Sequence, residues 1–145
     1  MNYYGGIDPG MSGGIAVLDE NGDVILLEKF ANCSERDLLE IFWKIPERTF
    51  LVIERVSAMP KQGIASTFQF GLHFGCLIGL VAARELPYEF ATPGKWQRAM
   101  RCLSKGDKNI TKAAAQRLFP KFKITHAVAD ALLIAEYARR TYSRE

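Results

Sequence analysis

Residues 3–30 read YYGGIDPGMSGGIAVLDENGDVILLEKF, and this stretch decides the fold. Its turn segments are DPG at residues 8–10 and NG at residues 21–22. Proline fixes φ and glycine tolerates positive φ, so both segments favour tight reversals of the chain. The turns separate three apolar runs, at residues 3–8, 14–19 and 24–30. The stretch therefore predicts three strands in a meander.

The rest of the chain alternates helical and strand patterns. Ser34 and Asp37 have the spacing of a capping box before a helix that ends at Pro46. Residues 50–53 form a short continuous apolar run, typical of a strand buried on both faces. Further patterns predict a long helix ending near residue 85, a strand at 86–91, a short helix after residue 92, a helix at 110–119 capped by Asp107 or Asn109, and a last helix from residue 125 to about residue 141.

This order of elements predicts one α/β domain spanning residues 1–145. We expect a five-stranded mixed sheet with helices on both faces, which is the ribonuclease H-like architecture. No internal repeat or linker interrupts the pattern.

Composition is that of an ordinary soluble domain, with 48% hydrophobic and 24% charged residues among 145. Cys33, Cys76 and Cys102 are odd in number and form no Cys-x-x-Cys pair, which argues against a disulfide framework and a zinc site. The N-terminus lacks the pattern of a signal peptide, and the longest apolar stretch, residues 76–83, is too short to span a bilayer. We expect a cytoplasmic protein, or one from another intracellular reducing compartment, with no membrane partner.

Charge is divided unevenly along the chain. Residues 1–92 carry 7 basic and 12 acidic side chains, whereas residues 93–145 carry 12 basic and 4 acidic ones. The C-terminal third therefore has a net charge of +8, which suggests a polyanionic partner. A solvated basic surface is the simpler alternative.

Two carboxylates follow predicted strands. Asp8 ends the first strand before a glycine-rich turn, and Glu54 ends the buried run at residues 50–53. If these strands are neighbours, the two carboxylates lie side by side, and a divalent cation would relieve their repulsion. The alternatives are an aspartate that opens a β-turn and a glutamate paired with Arg55 or another basic residue.

Two further features lie on predicted helices. His126 and Asp130 are four residues apart, so both project from one face of the last helix; an exposed helix start and a dipole effect are the alternative. Gly71, Gly75 and Gly79 recur every fourth residue in the long helix, which indicates either tight internal packing or a subunit interface.

Together these segments resemble the RuvC-type Holliday junction resolvases, especially the phage and organellar branch. The similar segments are residues 6–10 with Gly13-Gly14, Ile53-Glu54, residues 126–137, residues 54–79 and Pro93-Gly94-Lys95-Trp96-Gln97. They cover nearly the whole chain in the order of the family.

The resemblance implies a structure-selective endonuclease of DNA recombination and repair. Asp8, Glu54 and Asp130 would be metal ligands, with His126 at the position of a fourth acidic or histidine residue. Two Mg²⁺ ions, for which Mn²⁺ can substitute, would activate the attacking water and stabilise the leaving 3′-oxygen. The implied partners are four-way or branched DNA and a second copy of the chain. The predicted DNA-contacting side chains are Lys61, Lys95, Lys105, Lys108, Lys112 and Arg117.

Two positions depart from the bacterial pattern. His126 precedes Asp130 by four residues, where bacterial members typically have three, although a helix places either spacing on one face. The aromatic wedge of bacterial members corresponds to Ser57, so a wedge must come from elsewhere, with Met59 and Phe68 as candidates.

Other functions remain open at this point. A general branched-DNA or flap nuclease, or an RNase H, would use the same chemistry. A catalytically silent nucleic-acid-binding domain would not need all three carboxylates. An actin-like ATPase or sugar kinase also has an aspartate before glycines, but it needs two copies of the fold.

Overall fold

The N-terminal meander forms as predicted. In the computed structural model, which describes residues 2–56 and 61–143, strands β1 (Tyr3–Asp8), β2 (Gly14–Leu18) and β3 (Val24–Lys29) pair antiparallel in sequence order. Gly10 and Gly22 adopt φ of 110° and 87° at the two turns, a conformation that favours glycine.

Two parallel strands complete the sheet. Strand β4 (Thr49–Glu54) pairs with β1, and β5 (Tyr88–Ala91) pairs with β4. The order β3-β2-β1-β4-β5 is a five-stranded mixed sheet, so the predicted sheet is confirmed. β4 is a central strand with buried residues Leu51, Val52 and Ile53, as its continuous apolar run indicated.

Five helices connect and cover these strands. Ser34 and Asp37 form the capping box, with hydrogen bonds of 3.1 Å and 2.9 Å between side chain and backbone. Asp107, rather than Asn109, is the N-cap of the fourth helix. The helices are α1 (Glu35–Trp43), α2 (Ile64–Ala83), α3 (Pro93–Ala99), α4 (Lys108–Leu118) and α5 (His126–Tyr142).

A hydrophobic core lies on each face of the sheet. One core packs α3, α4 and α5 against the sheet, and the other packs α1 and α2. Helix α5 lies directly on β1, since a Cβ at Gly6 would overlap main-chain atoms of Ala131 and Ala135. This close approach brings the start of α5 to the end of β1 that carries Asp8.

Helix α2 is mostly exposed. His73, Leu77 and Val81 are its buried residues, whereas Ile64, Phe68 and Leu72 are 92%, 63% and 55% exposed. A Cβ at any of the three striped glycines would meet no atom of the described chain within 4 Å: Gly71, Gly75 and Gly79. Within the described residues, tight internal packing therefore does not explain the stripe.

Among the described helices, only α2 is long and apolar enough to cross a membrane by length and composition. The prediction from residues 76–83 alone missed this property. Length and composition are a weak indication, because one side of α2 packs on the domain core through Leu77 and Val81.

Candidate active site

Asp8 and Glu54 are the last residues of the neighbouring parallel strands β1 and β4. Ile7 of β1 is paired with Ile53 of β4 in parallel register, and each carboxylate residue follows its isoleucine. Gly13 permits the chain to fold back on this edge, because a Cβ there would overlap the carbonyl group of Asp8. The sequence pattern therefore placed these two carboxylates together correctly.

Asp130 reaches the same place from α5. The pKa of Asp8 is raised well above 3.8 by burial first, and then by the charges of Glu54 and Asp130. The pKa of Glu54 is also raised, by burial and by Asp130. These mutual effects show that three carboxyl groups from β1, β4 and α5 share one electrostatic site.

His126 is exposed at the start of α5, one turn before Asp130. Burial raises the pKa of Asp130, and the charge of His126 is one of the influences that lower it. The histidine therefore faces the acidic site, as the four-residue spacing predicted.

Lysine side chains share the cleft with the carboxylates. Lys108, the first residue of α4, lowers the pKa of Asp8, Glu54 and Asp130. A cleft of about 350 Å³ is lined by Glu54 and Asp130 together with Lys105 and Lys108. Two of the predicted DNA-contacting residues are thus part of the acidic site itself.

The other predicted DNA-contacting residues lie outside this cleft lining. Lys112 and Arg117 follow Lys108 along α4, Lys95 is exposed on α3, and Lys61 is exposed before α2. Phe68, one wedge candidate, is exposed on α2, whereas Ser57 and Met59 lie outside the described residues.

Two neighbours of the carboxylates were not assigned from the sequence. The indole nitrogen of Trp96 donates a 2.8 Å hydrogen bond to Oε2 of Glu54. Trp96 is buried, which agrees with its interpretation as a core residue, but that interpretation omitted its polar contact.

Thr111 is the second such neighbour. Its hydroxyl hydrogen-bonds Asp130 and lowers the pKa of that carboxyl. The same hydroxyl lies 3.3 Å from the carbonyl oxygen of Lys108, so its single proton serves one acceptor at a time. The spacing of Lys108 and Thr111, one turn apart on α4, is the sequence signal that places both at the cleft.

The donor set fits a divalent cation. Carboxylate oxygens are the ligands that Mg²⁺ prefers, and three carboxylates outnumber the single Lys108 ammonium that faces all of them. In the described part of the chain, no group of three or more His, Cys, Asp or Glu side chains is already arranged to hold a metal ion.

The sheet order and helix placement define a ribonuclease H-like α/β domain, and the fold predicted from the sequence is confirmed. Among solved structures, the chain is similar to RuvC of Thermus thermophilus, with a TM-score of 0.68 and 17% identity over 93% of this chain and 92% of that chain. It is also similar to T. thermophilus RuvC in complex with Holliday junction substrate, with a TM-score of 0.70 and 16% identity over 99% and 98% of the two chains. No protein-family model and no curated protein matches the sequence.

Proposed function

We propose that this chain is a metal-dependent endonuclease that resolves four-way DNA junctions. The observation that carries the proposal is the convergence of Asp8, Glu54 and Asp130 beside Lys108 at one edge of the sheet. The fold supports it, since one similar structure is a RuvC bound to a Holliday junction substrate. The activity is assigned to a single domain, residues 1–145, because both cores pack on the same sheet.

The carboxylates would hold Mg²⁺, two ions per site, and Mn²⁺ can replace it. A divalent cation in such a site stabilises charge on phosphoryl oxygens and lowers the pKa of water, which is the chemistry that phosphodiester hydrolysis needs. Asp8, Glu54 and Asp130 are the proposed ligands, with His126 at the exposed rim of the cluster.

The protein's own groups bind and orient the phosphate. Lys108 carries a positive charge into the acidic cleft, where it can pair with a phosphate oxygen once a cation neutralises the carboxylates. His126 is exposed beside Asp130, where its imidazole would bind a metal ion or take part in proton transfer.

Basic residues around the cleft would contact the DNA backbone. Lys105 and Lys108 line the cleft, and α4 continues from it with Lys112 and then Arg117. Lys95 and Lys61 would extend this surface on α3 and before α2. Such contacts bind phosphate without reading bases, so they suit recognition of DNA shape.

A homodimer completes the proposal. A four-way junction is two-fold symmetric, so paired cuts need two active sites related by the same symmetry. Helix α2 offers a contact surface, with exposed Phe68 and Leu72 beside glycines whose Cβ positions are open in the described chain. Close approach of two such helices would bury the exposed apolar face.

An intracellular location agrees with this function. Cys33, Cys76 and Cys102 are all free thiols, and burial raises the pKa of each above 9.0. Free thiols are typical of proteins in a reducing compartment.

The deciding experiment is cleavage of a synthetic four-way junction in Mg²⁺, beside duplex, flap and RNA–DNA hybrid substrates. We expect paired nicks in the junction at rates well above those on the controls, and no cleavage by Asp8→Asn. Preferred cleavage of the flap or of the hybrid would assign one of the related nuclease functions instead. Binding without any cleavage would indicate a silent binding domain.

A further inference from the structure

Trp96 has an unusual hydrogen-bond partner for a buried indole. Its side chain is 0% exposed, and Nε1 donates to Oε2 of Glu54 at 2.8 Å. A buried indole N–H needs an acceptor, and a hydrogen bond to a carboxylate is about twice as strong as one between neutral groups. The only other tryptophan, Trp43, is 66% exposed at the end of α1.

The backbone fixes the indole at the level of Glu54. Ala91, the last residue of β5, is paired with Glu54 in the parallel ladder, and its carbonyl accepts a 2.7 Å hydrogen bond from Arg55. Helix α3 begins two residues later, with Thr92 as N-cap. Trp96 therefore lies about one helical turn beyond the end of β5, next to the end of β4 that carries Glu54.

Packing then holds the ring in place. Trp96 belongs to the buried core that α3, α4 and α5 form on the sheet, together with Met100, Ala129 and Leu133. A ring enclosed by such a core cannot swing away, so the N–H stays directed at the cleft. The hydrogen bond thus connects an immobile core residue to a carboxylate at the cleft surface.

We propose that Trp96 is a positioning residue for Glu54, an inference that rests on the proposed metal-dependent function. By holding Oε2, the indole fixes the orientation of the Glu54 carboxylate, which would bind the divalent cation.

The simpler alternative is that Trp96 only fills the core. Trp96→Phe separates the two roles, because phenylalanine retains most of the apolar ring and lacks the N–H. Trp43→Phe is the matched control, since it makes the same chemical change at an exposed ring that stacks with Arg84.

The test is Mg²⁺ binding to the DNA-free protein, measured by calorimetric titration. Loss of a hydrogen-bond partner of a metal ligand typically weakens metal affinity by about 10–100-fold, so we expect that loss for Trp96→Phe and none for Trp43→Phe. Junction cleavage by Trp96→Phe should recover as Mg²⁺ is raised, because the ligand itself remains. Equal Mg²⁺ affinity of wild type and Trp96→Phe would overturn the role of Trp96.

A second measurement takes its readout from the wild-type protein and uses a variant for resonance assignment alone. The wild-type protein has two indole N–H resonances in a ¹⁵N correlation spectrum, and Trp43→Phe identifies that of Trp96. Addition of Mg²⁺ should shift the Trp96 resonance and leave that of Trp43 in place. An unmoved Trp96 resonance in a protein that binds Mg²⁺ would overturn the inference, whereas a wild type that binds no Mg²⁺ would overturn the proposed function itself.

Discussion

Ile7 and Ile53 are direct partners in the parallel ladder between β1 and β4, and the residue after each is a carboxylate. A shift of one residue in this register would move the two acidic groups to different levels of the sheet. Both isoleucines are fully buried on the α1 and α2 side of the sheet, so such a shift would also turn Ile7 towards α5, where even a Cβ at Gly6 would overlap main chain. The register that the core selects therefore places Asp8 beside Glu54.

Neutralising one carboxylate should separate cleavage from DNA binding. We expect Asp8→Asn, Glu54→Gln or Asp130→Asn to abolish junction cleavage, because each removes a proposed metal ligand. Junction affinity in the absence of metal should be unchanged or higher, since repulsion of the phosphates decreases. Gel-shift and cleavage assays on the same junction measure the two properties, and normal cleavage by Asp8→Asn would contradict the site assignment.

The stability of the metal-free protein should depend on pH through Asp8. Its pKa is raised in the folded state, so its stabilising contribution is complete below the ordinary value of 3.8 and is lost as pH rises through the raised value. Asp8→Asn should therefore melt at a higher temperature than wild type at pH 8 in EDTA. The difference should shrink as the pH is lowered towards 4.

Mg²⁺ is the control for that measurement. A ligand that binds only the folded state raises the free energy of unfolding, so Mg²⁺ should stabilise wild type and not Asp8→Asn. Thermal melting with and without Mg²⁺ at pH 8 measures both effects. A melting difference that is independent of pH would show that ionisation of the buried Asp8 does not destabilise the folded protein.

Lys108 and Lys112 should differ although they lie one turn apart on α4. Neutralising either residue should weaken binding to all DNA alike and reduce the logarithmic salt slope by about 0.9. Only Lys108→Gln should also slow cleavage by bound enzyme, because Lys108 lines the cleft with Glu54 and Asp130 and Lys112 does not. Salt titrations and single-turnover cleavage test this, and an unchanged slope would place both residues away from DNA.

His126 should contribute to cleavage without contributing to stability. It is exposed beside Asp130, so His126→Ala should leave the melting temperature nearly unchanged while it slows cleavage by about 10²-fold or more. His126→Asp should restore part of the rate in Mg²⁺, because an acidic group can replace the imidazole as a ligand. A normal rate for His126→Ala would show that the residue is only the exposed start of α5.

Gly75→Leu should break the proposed dimer and leave the fold intact. The added side chain meets no described atom of its own chain within 4 Å at Cβ, and leucine is favoured over glycine in a helix by about 1 kcal/mol. We expect a monomer by light scattering that folds normally and no longer makes paired cuts. Lys112→Gln, on the other face of the sheet, should remain dimeric; a dimer unaffected by Gly75→Leu would place the interface elsewhere.

Local signals in the sequence were sufficient to predict the strands and the helix that carry the three carboxylates. The turn residues after Asp8 and the apolar run before Glu54 predicted both strand ends, and the spacing of His126 and Asp130 predicted their common face. These signals depend on residues close together in sequence. Element ends differed by one or two residues, as at β4, because the last pairs of a ladder depend on the neighbouring strand.

Such local signals could not predict contacts between segments that are distant in sequence. Trp96 and Glu54 are 42 residues apart, and their hydrogen bond depends on how β5 places α3. Likewise, Arg84 donates to the carbonyl groups of Phe42 and Ile45 at the end of α1, which no local pattern indicates. Spacing also could not decide which side of α2 carries its glycines, since that depends on the packing of the whole helix.

The contact at Gly6 has a consequence for how the molecule tolerates change. Where α5 crosses β1, main chain lies on main chain, so peptide planes alone set the separation between the strand of Asp8 and the helix of Asp130. Peptide planes have no rotamers, and the repacking that absorbs most core substitutions is unavailable there. A single methyl group at residue 6 would therefore move the strand of Asp8 away from the helix of Asp130. The two carboxylates would separate although neither residue had been changed.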